Sequence, residues 1–230
     1  MYHKQCNRNN YTIANRPRSA VCYIVYHFTA NNGDTARNNV DYFARVNTGT
    51  SAHWFADDVE VASSVPWWEV AHHCGGKKYP NTKPLFFGKC TNYNSLGVEM
   101  CSRIVGGKYT ITEATQKNAA KHIAQLMHDF RIPLERVIRH YDVTGKQCPA
   151  PMVDEAVNKA FKDLILFYYE GGEDVKYYET LEEIPAGDMR SAVAELMELG
   201  VIKGNGTGLH LSYDMLRIIT FMYRRFKVVS

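Results

Sequence analysis

The run VCYIVYHF at residues 21–28 is apolar or aromatic at every position but one, the penultimate histidine. β-Branched and aromatic side chains suit a pleated strand, and a run without polar alternation reads as a strand buried on both faces. Such a strand needs cover on both sides. The rest of the chain offers the parts. Residues 34–45 carry Ala36, Val40, Phe43 and Ala44 at helical spacing, with Asp34 as the expected N-cap. Residues 112–130 place Ala119, Ala120, Ile123, Ala124, Met127 and Phe130 on one helical face behind a Thr112 cap. Residues 151–166 predict another helix, with Val153, Val157, Ala160, Phe161, Leu164 and Ile165 inward. AHWFADDVEVAS (52–63) reads as a hairpin about Asp57-Asp58, SLGVEMCS (95–102) as a strand, and Val137-Ile138 as a short strand before a turn segment at 141–150. Residues 74–94 read as a long loop rich in Gly, Lys, Pro and Asn, a kind of segment that is often functional.

Charge and hydropathy exclude some partners. The chain has 27 basic and 24 acidic residues, a net charge of +3. That is too small an excess for a protein whose main partner is nucleic acid. No run approaches the roughly 18 apolar residues of a membrane span, so no membrane partner is expected. The first twenty residues hold no apolar h-region, and the expectation is synthesis in a (host) cytoplasm without a signal peptide. Six cysteines are present. Cys22 and Cys101 lie in strand-like runs and read as buried thiols. Cys74 and Cys90 flank the long loop, and the sequence leaves their pairing open.

Three features carry chemistry. His27 ends the buried strand, where a lone histidine is most often structural. His140 and Cys148 are both good zinc ligands; with a third, distant ligand they would leave one tetrahedral position open, as a catalytic zinc requires. The bland alternative is a solvated His140 and a buried thiol. Glu99 sits among Val98, Met100 and Cys101, and is either a solvent-facing strand position or a general base for a metal-activated water.

Taken together, YIVYHFTAN (23–31), SAHWFADD (51–58), AHHCGG (71–76), NSLGVEM (94–100) and RHYDVTGKQCPAP (139–151) resemble the zinc-dependent N-acetylmuramoyl-L-alanine amidases of the amidase-2 group, relatives of the peptidoglycan recognition proteins and common in phage endolysins. The resemblance covers roughly residues 17–165. It implies an α/β fold, a mixed central β-sheet flanked by helices, and Zn2+ held by His27, His140 and Cys148, with Glu99 as general base and Lys146 stabilising the oxyanion. It implies cleavage of the amide between N-acetylmuramic acid and L-alanine of the stem peptide, with bacterial peptidoglycan as partner and the cell wall as the place of action. Some relatives carry a tyrosine where this chain has Ala52, which favours Glu99 as the base. Recognition-only relatives typically lack the cysteine that stands here as Cys148. The resemblance also suggests His73 and Asn94 as substrate-binding residues, each with a bland alternative: a surface loop residue for His73, a turn cap for Asn94. Asp142 is a candidate partner orienting His140. Trp67 and Trp68 read as core filling, and His53 as structural.

A break near EGGED suggests a linker, which divides the chain into a catalytic domain at 1–167, a linker at 168–178 and a small helical module at 179–230. Within the module, helices are expected at about 187–199 and 212–226. Leu199-Gly200-Val201-Ile202 with Gly204, Gly206 and Gly208 resembles one S-layer-homology unit. That implies attachment to a secondary cell-wall polymer, with a helical hairpin that dimerises the chain as the alternative. Within the same chemistry, a phage or prophage endolysin is expected ahead of a bacterial autolysin. A non-catalytic peptidoglycan-recognition protein and a zinc peptidase are the rivals from other classes.

Overall fold

In a computed structural model, residues 1–174 and 176–227 are described, and they form two compact units, Met1–Gly172 and Glu173–Ser230. The first unit runs, in chain order, through β1 (Tyr11–Thr12), β2 (Tyr23–Phe28), α1 (Ala36–Arg45), β3 (Trp54–Ala56), β4 (Val61–Ser63), β5 (Val70–Ala71), β6 (Ser95–Met100), β7 (Arg103–Val105), β8 (Lys108–Thr110), α2 (Glu113–Phe130), β9 (Val137–Arg139), α3 (His140–Thr144) and α4 (Glu155–Tyr169). Its main sheet has the order β4-β3-β6-β2-β9. β3, β6, β2 and β9 are parallel, and β4 is an antiparallel edge. This is the mixed α/β fold expected from the resemblance, and β2 is one of its inner strands.

The two faces of β2 do different work. Ile24, Tyr26 and Phe28 join Leu96, Val98 and Met100 in a core closed by Ala119, Ile123 and Met127 of α2 and by Phe161 and Ile165 of α4. Burying one such side chain stabilises the fold by about 2 kcal/mol. On the other face Val25 packs with Cys74, Cys90, Ile138 and Val143. His27 follows Val25 on that same face, at the carboxyl end of the strand. Glu99 is its register partner on β6, and His140 begins the helix that β9 feeds. The carboxyl ends of parallel strands are where open α/β sheets bind ligands.

Several sequence expectations change in detail. Thr35, not Asp34, caps α1, its side chain accepting from the Asn38 amide. Asp34 instead accepts from Thr29, Asn31, Asn39 and the Ser102 amide, so its carboxylate knits the loop between β2 and α1. The segment at 141–150 opens with α3, a short helix rather than a turn; Asp142 folds back on the Arg139 amide and closes it at the N-terminus. α4 begins at Glu155 under an Asp154 cap, which turns Val157 outward at 41% exposure. It continues to Tyr169, so the proposed linker begins inside a helix, and Tyr168 packs against the first core. β1, β5 and the β7–β8 hairpin about Gly106-Gly107 went unread.

The second unit holds β10 (Tyr177–Tyr178), α5 (Asp188–Glu198), β11 (Leu211–Ser212) and α6 (Tyr213–Lys227). β10 pairs with β11 antiparallel, so Tyr177 and Tyr178, expected in the linker, belong to this unit, which is not purely helical. Tyr178, Ile184, Val193, Leu209, Leu211 and Leu216 form its core. The turn between its helices needs Gly204, whose φ is +71° and where a Cβ would lie 2.1 Å from the Gly208 oxygen.

Candidate metal centre

Three buried side chains converge at the carboxyl edge of the sheet. One ligand atom each from His27, His140 and Cys148 lies within 4.8 Å of the other two. The His27 and His140 rings stand edge to face with centroids 4.9 Å apart, and Cys148 Sγ is 3.6 Å from His27 Nδ1. His140 Nδ1 is buried and has no hydrogen-bond partner. An orphaned buried nitrogen costs stability unless something fills its lone pair. Two imidazoles and a thiol form a soft donor set that suits zinc, and they are held by three separate segments of chain. His27 is fixed by the strand. His140 is fixed by α3, whose first turn is tied down by Arg139: the guanidinium binds both Asp142 oxygens, Glu155 and the carbonyls of Met152 and Val153. Asp142 therefore orients the helix that bears His140, through Arg139, and not the ring itself. Cys148 is placed by its own carbonyl, which accepts from the Tyr141 amide.

The electrostatics follow from burial. Burial holds the His27 imidazole far below its ordinary range and brings His140 down to about 4; the positive charge of Lys146 adds to both. Both rings are thus neutral, the form that binds a cation. Burial pushes the Cys148 thiol up to about 12, so that metal binding must displace its proton. Glu99 is raised to about 8, mostly by burial, with Asp34 adding and Lys146 opposing. Its Oε2 is enclosed and unpartnered, and it borders a 600 Å³ cleft lined also by Thr29, Asp34, Asn39, Tyr42 and Phe55. Lys146 itself is exposed, and its charge acts on His27, His140, Cys148 and Glu99 alike. The structure thus clusters His27, His140 and Cys148, sets Glu99 beside His27 in register, and leaves Lys146 acting on all four through its charge.

The remaining candidates are occupied elsewhere. Asn94 Oδ1 accepts from the Thr91 amide and hydroxyl, and its Nδ2 donates to the Lys89 carbonyl. That is a turn cap. His73 has one ring nitrogen against His27 and the other against Ser95. His53 is fully buried, its Nδ1 accepting from the Gly97 amide. Trp67 packs edge to face on Phe130, whereas Trp68 is 43% exposed. All six cysteines are free thiols, Cys74 and Cys90 both buried. Ser95 and Gly97 were missed as parts of the site. The signal was present, because a glycine inside a strand marks a close approach.

The amidase-2 family model, described as N-acetylmuramoyl-L-alanine amidase, matches residues 17–151, more than half of the chain. The chain belongs to this family. Among curated relatives, the N-acetylmuramoyl-L-alanine amidase CwlL of Bacillus licheniformis is 36% identical over 153 residues, 64% of this chain and 41% of that protein. BlyA of Bacillus subtilis is 32% identical over 157 residues, again 64% of this chain and 41% of that protein. The chain thus spans about two fifths of these relatives. Among solved structures, PlyL aligns with a TM-score of 0.57 and 26% identity, covering 72% of this chain and 96% of that one. A mutant endolysin from Bacillus subtilis aligns at 0.56 and 28%, covering 71% and 97%. No described helix is long and apolar enough to cross a membrane.

Proposed function

We propose that this chain is a zinc-dependent N-acetylmuramoyl-L-alanine amidase that cuts peptidoglycan between the lactyl group of N-acetylmuramic acid and L-alanine. The observation that carries the reading is the convergence of His27, His140 and Cys148 beside an enclosed, unpartnered Glu99. Zinc held by those three residues would supply Lewis-acid activation of the attacking water and of the scissile carbonyl. Glu99 takes a proton from that water and returns it to the leaving amine of L-alanine; the C–N bond breaks, and the lactyl carbon ends as a carboxylate. Positive charge bound beside Glu99 favours its ionised form, drawing its pKa down from about 8. Lys146 stabilises the oxyanion, a contribution of about 3 kcal/mol where such a donor is fixed.

The family membership and the likeness to endolysin structures support a lytic role, as a phage or prophage endolysin or, with the same chemistry, a bacterial autolysin. Residues 179–230, within the second unit, are read as the wall-binding module, with a secondary cell-wall polymer as ligand. The experiment is product analysis of purified peptidoglycan digested by the intact protein, with and without chelator and with zinc restored. New N-terminal alanine that disappears with chelator and returns with zinc is the expected result. Wall binding by metal-loaded protein without new amines, on several wall types, would overturn it in favour of recognition alone. New amino termini inside the stem peptide would make it a peptidase.

A further inference from the structure

His73 stands between two partners. Its Nδ1 is 3.0 Å from His27 Nε2, and its Nε2 is 3.1 Å from Ser95 Oγ. Ser95 Oγ in turn lies 2.6 Å from the Thr91 carbonyl oxygen. The direction of this chain of hydrogen bonds is set by its far end. A carbonyl oxygen only accepts, so the Ser95 hydroxyl gives its single proton to Thr91. The Ser95 oxygen must then accept from His73, which puts the ring proton of His73 on Nε2. Cys74 Sγ, 3.4 Å from the same oxygen, can only donate to it, because Ser95 has no second proton. In a neutral ring the His73 Nδ1 is then a lone pair, and it accepts from His27 Nε2–H. The lone pair of His27 is left on Nδ1, the nitrogen that faces Cys148 Sγ at 3.6 Å.

The surroundings leave His73 little freedom. Its backbone amide and that of Cys74 both donate to Asn92 Oδ1, at 3.1 and 2.8 Å. Its ring lies against Gly97, where a Cβ would come within 2.7 Å of His73 Cγ. Both ring nitrogens are engaged, and neither is left for a substrate.

We propose that His73, backed by Ser95 and the Thr91 carbonyl, is a positioning residue that fixes the tautomer and ring plane of His27, so that the His27 Nδ1 lone pair is presented to the metal. The proposal rests on the metal-centre reading above. It assigns His73 to the metal side of the site and not to the groove wall. Partners of this kind commonly hold metal-ligating histidines, and their loss costs roughly 10- to 100-fold in metal affinity.

The test has two arms. Long-range 1H–15N spectra of the imidazoles in the intact, metal-free protein should show His27 and His73 both protonated on Nε2 alone. Zinc titration against a competing chelator should show a roughly 10- to 100-fold loss of affinity in a folded His73→Ala variant. Ser95→Ala should give a smaller loss. His73→Gln, which offers an acceptor and a donor on one planar group, should recover most of the affinity. A proton on His27 Nδ1, a doubly protonated His73, or wild-type affinity in His73→Ala would overturn the relay while leaving the zinc reading intact. A wild-type chain that takes up no zinc would overturn the metal reading, and the role of His73 with it. The spectra need no variant, so misfolding of His73→Ala does not shelter the proposal.

Discussion

His27 and Glu99 are register partners across β2 and β6, and their side chains rise on the same face of the sheet. In a parallel pair this places a metal-ligand candidate and a carboxyl about one strand spacing apart, with no loop between them to vary the distance. Glu99 has an enclosed, unpartnered Oε2 and is not one of the three clustered ligands. Glu99→Gln should therefore keep its zinc content while losing at least roughly 100-fold in turnover of peptidoglycan. Metal analysis beside rate measurement checks this; a Gln variant with wild-type turnover would remove Glu99 from the role of base.

The same carboxyl makes stability depend on pH. In the metal-free protein its pKa is raised from 4.5 to about 8, first by burial. A group raised in the folded state contributes most where both states are protonated, below the unfolded value. Between about 4.5 and about 8 the folded chain binds a proton that the unfolded chain has lost, so stability falls as pH rises across this window. Glu99→Gln cannot ionise. Its Tm should match the wild type near pH 4 and exceed it at pH 9 by roughly 4 °C or more, measured by calorimetry in chelator. A difference independent of pH would contradict burial as the cause.

Removing a ligand should act on metal and on activity together. Cys148→Ser and His27→Ala each leave two of the three clustered donors, and both should lose bound zinc and hydrolysis in parallel. A ligand that binds only the folded state stabilises it. Zinc should accordingly raise the Tm of the wild type and not that of either variant. Equal Tm shifts in all three proteins would place the zinc elsewhere.

The Arg139 side chain is 5% exposed and anchors the start of α3. Its guanidinium meets Asp142, Glu155 and two backbone carbonyls. Asp142→Ala removes the two Asp142 oxygens from a buried cation and leaves it Glu155 and two carbonyls, a change that costs about 3 kcal/mol. Because Asp142 also accepts from the Arg139 amide at the start of the helix that begins with His140, zinc affinity should fall with stability. Urea unfolding with a parallel zinc titration measures both. Loss of stability with unchanged affinity would show that His140 is held without Arg139.

The strand that sets the fold class was legible because its residues, from Tyr23 to Phe28, can pack only in an interior. The candidate metal ligands were not legible one at a time. His27 and His140 looked like ordinary histidines until five motifs were read in order. Helix α3 was hidden by Gly145, Pro149 and Pro151, which dominate the local signal although the five residues before Gly145 are helical. Asp34 has the composition of a cap, but four donors around it outcompete the helix amides, and Thr35 takes that work. The chain from His27 through His73 to Ser95 joins residues 46 and 22 positions apart. Its meaning lies in which atom carries a proton, and no spacing in the sequence encodes that.

The boundary at Gly172 yields the last prediction. α4 ends at Tyr169, and Tyr168 is packed on the first core, so a cut after residue 172 leaves that core whole. The second unit has its own core about Ile184, Val193 and Leu216, and holds none of the five candidate metal and catalytic residues. A chain ending at Gly172 should therefore hydrolyse a soluble muropeptide at a rate within about twofold of the full chain, as expected where two units act independently. If residues 173–230 attach the enzyme to the wall, the shorter chain should also sediment less with intact sacculi and lyse them more slowly. Equal rates on both substrates would leave wall attachment to the first unit. A loss on the soluble substrate as well would mean that the second unit contributes to the site itself.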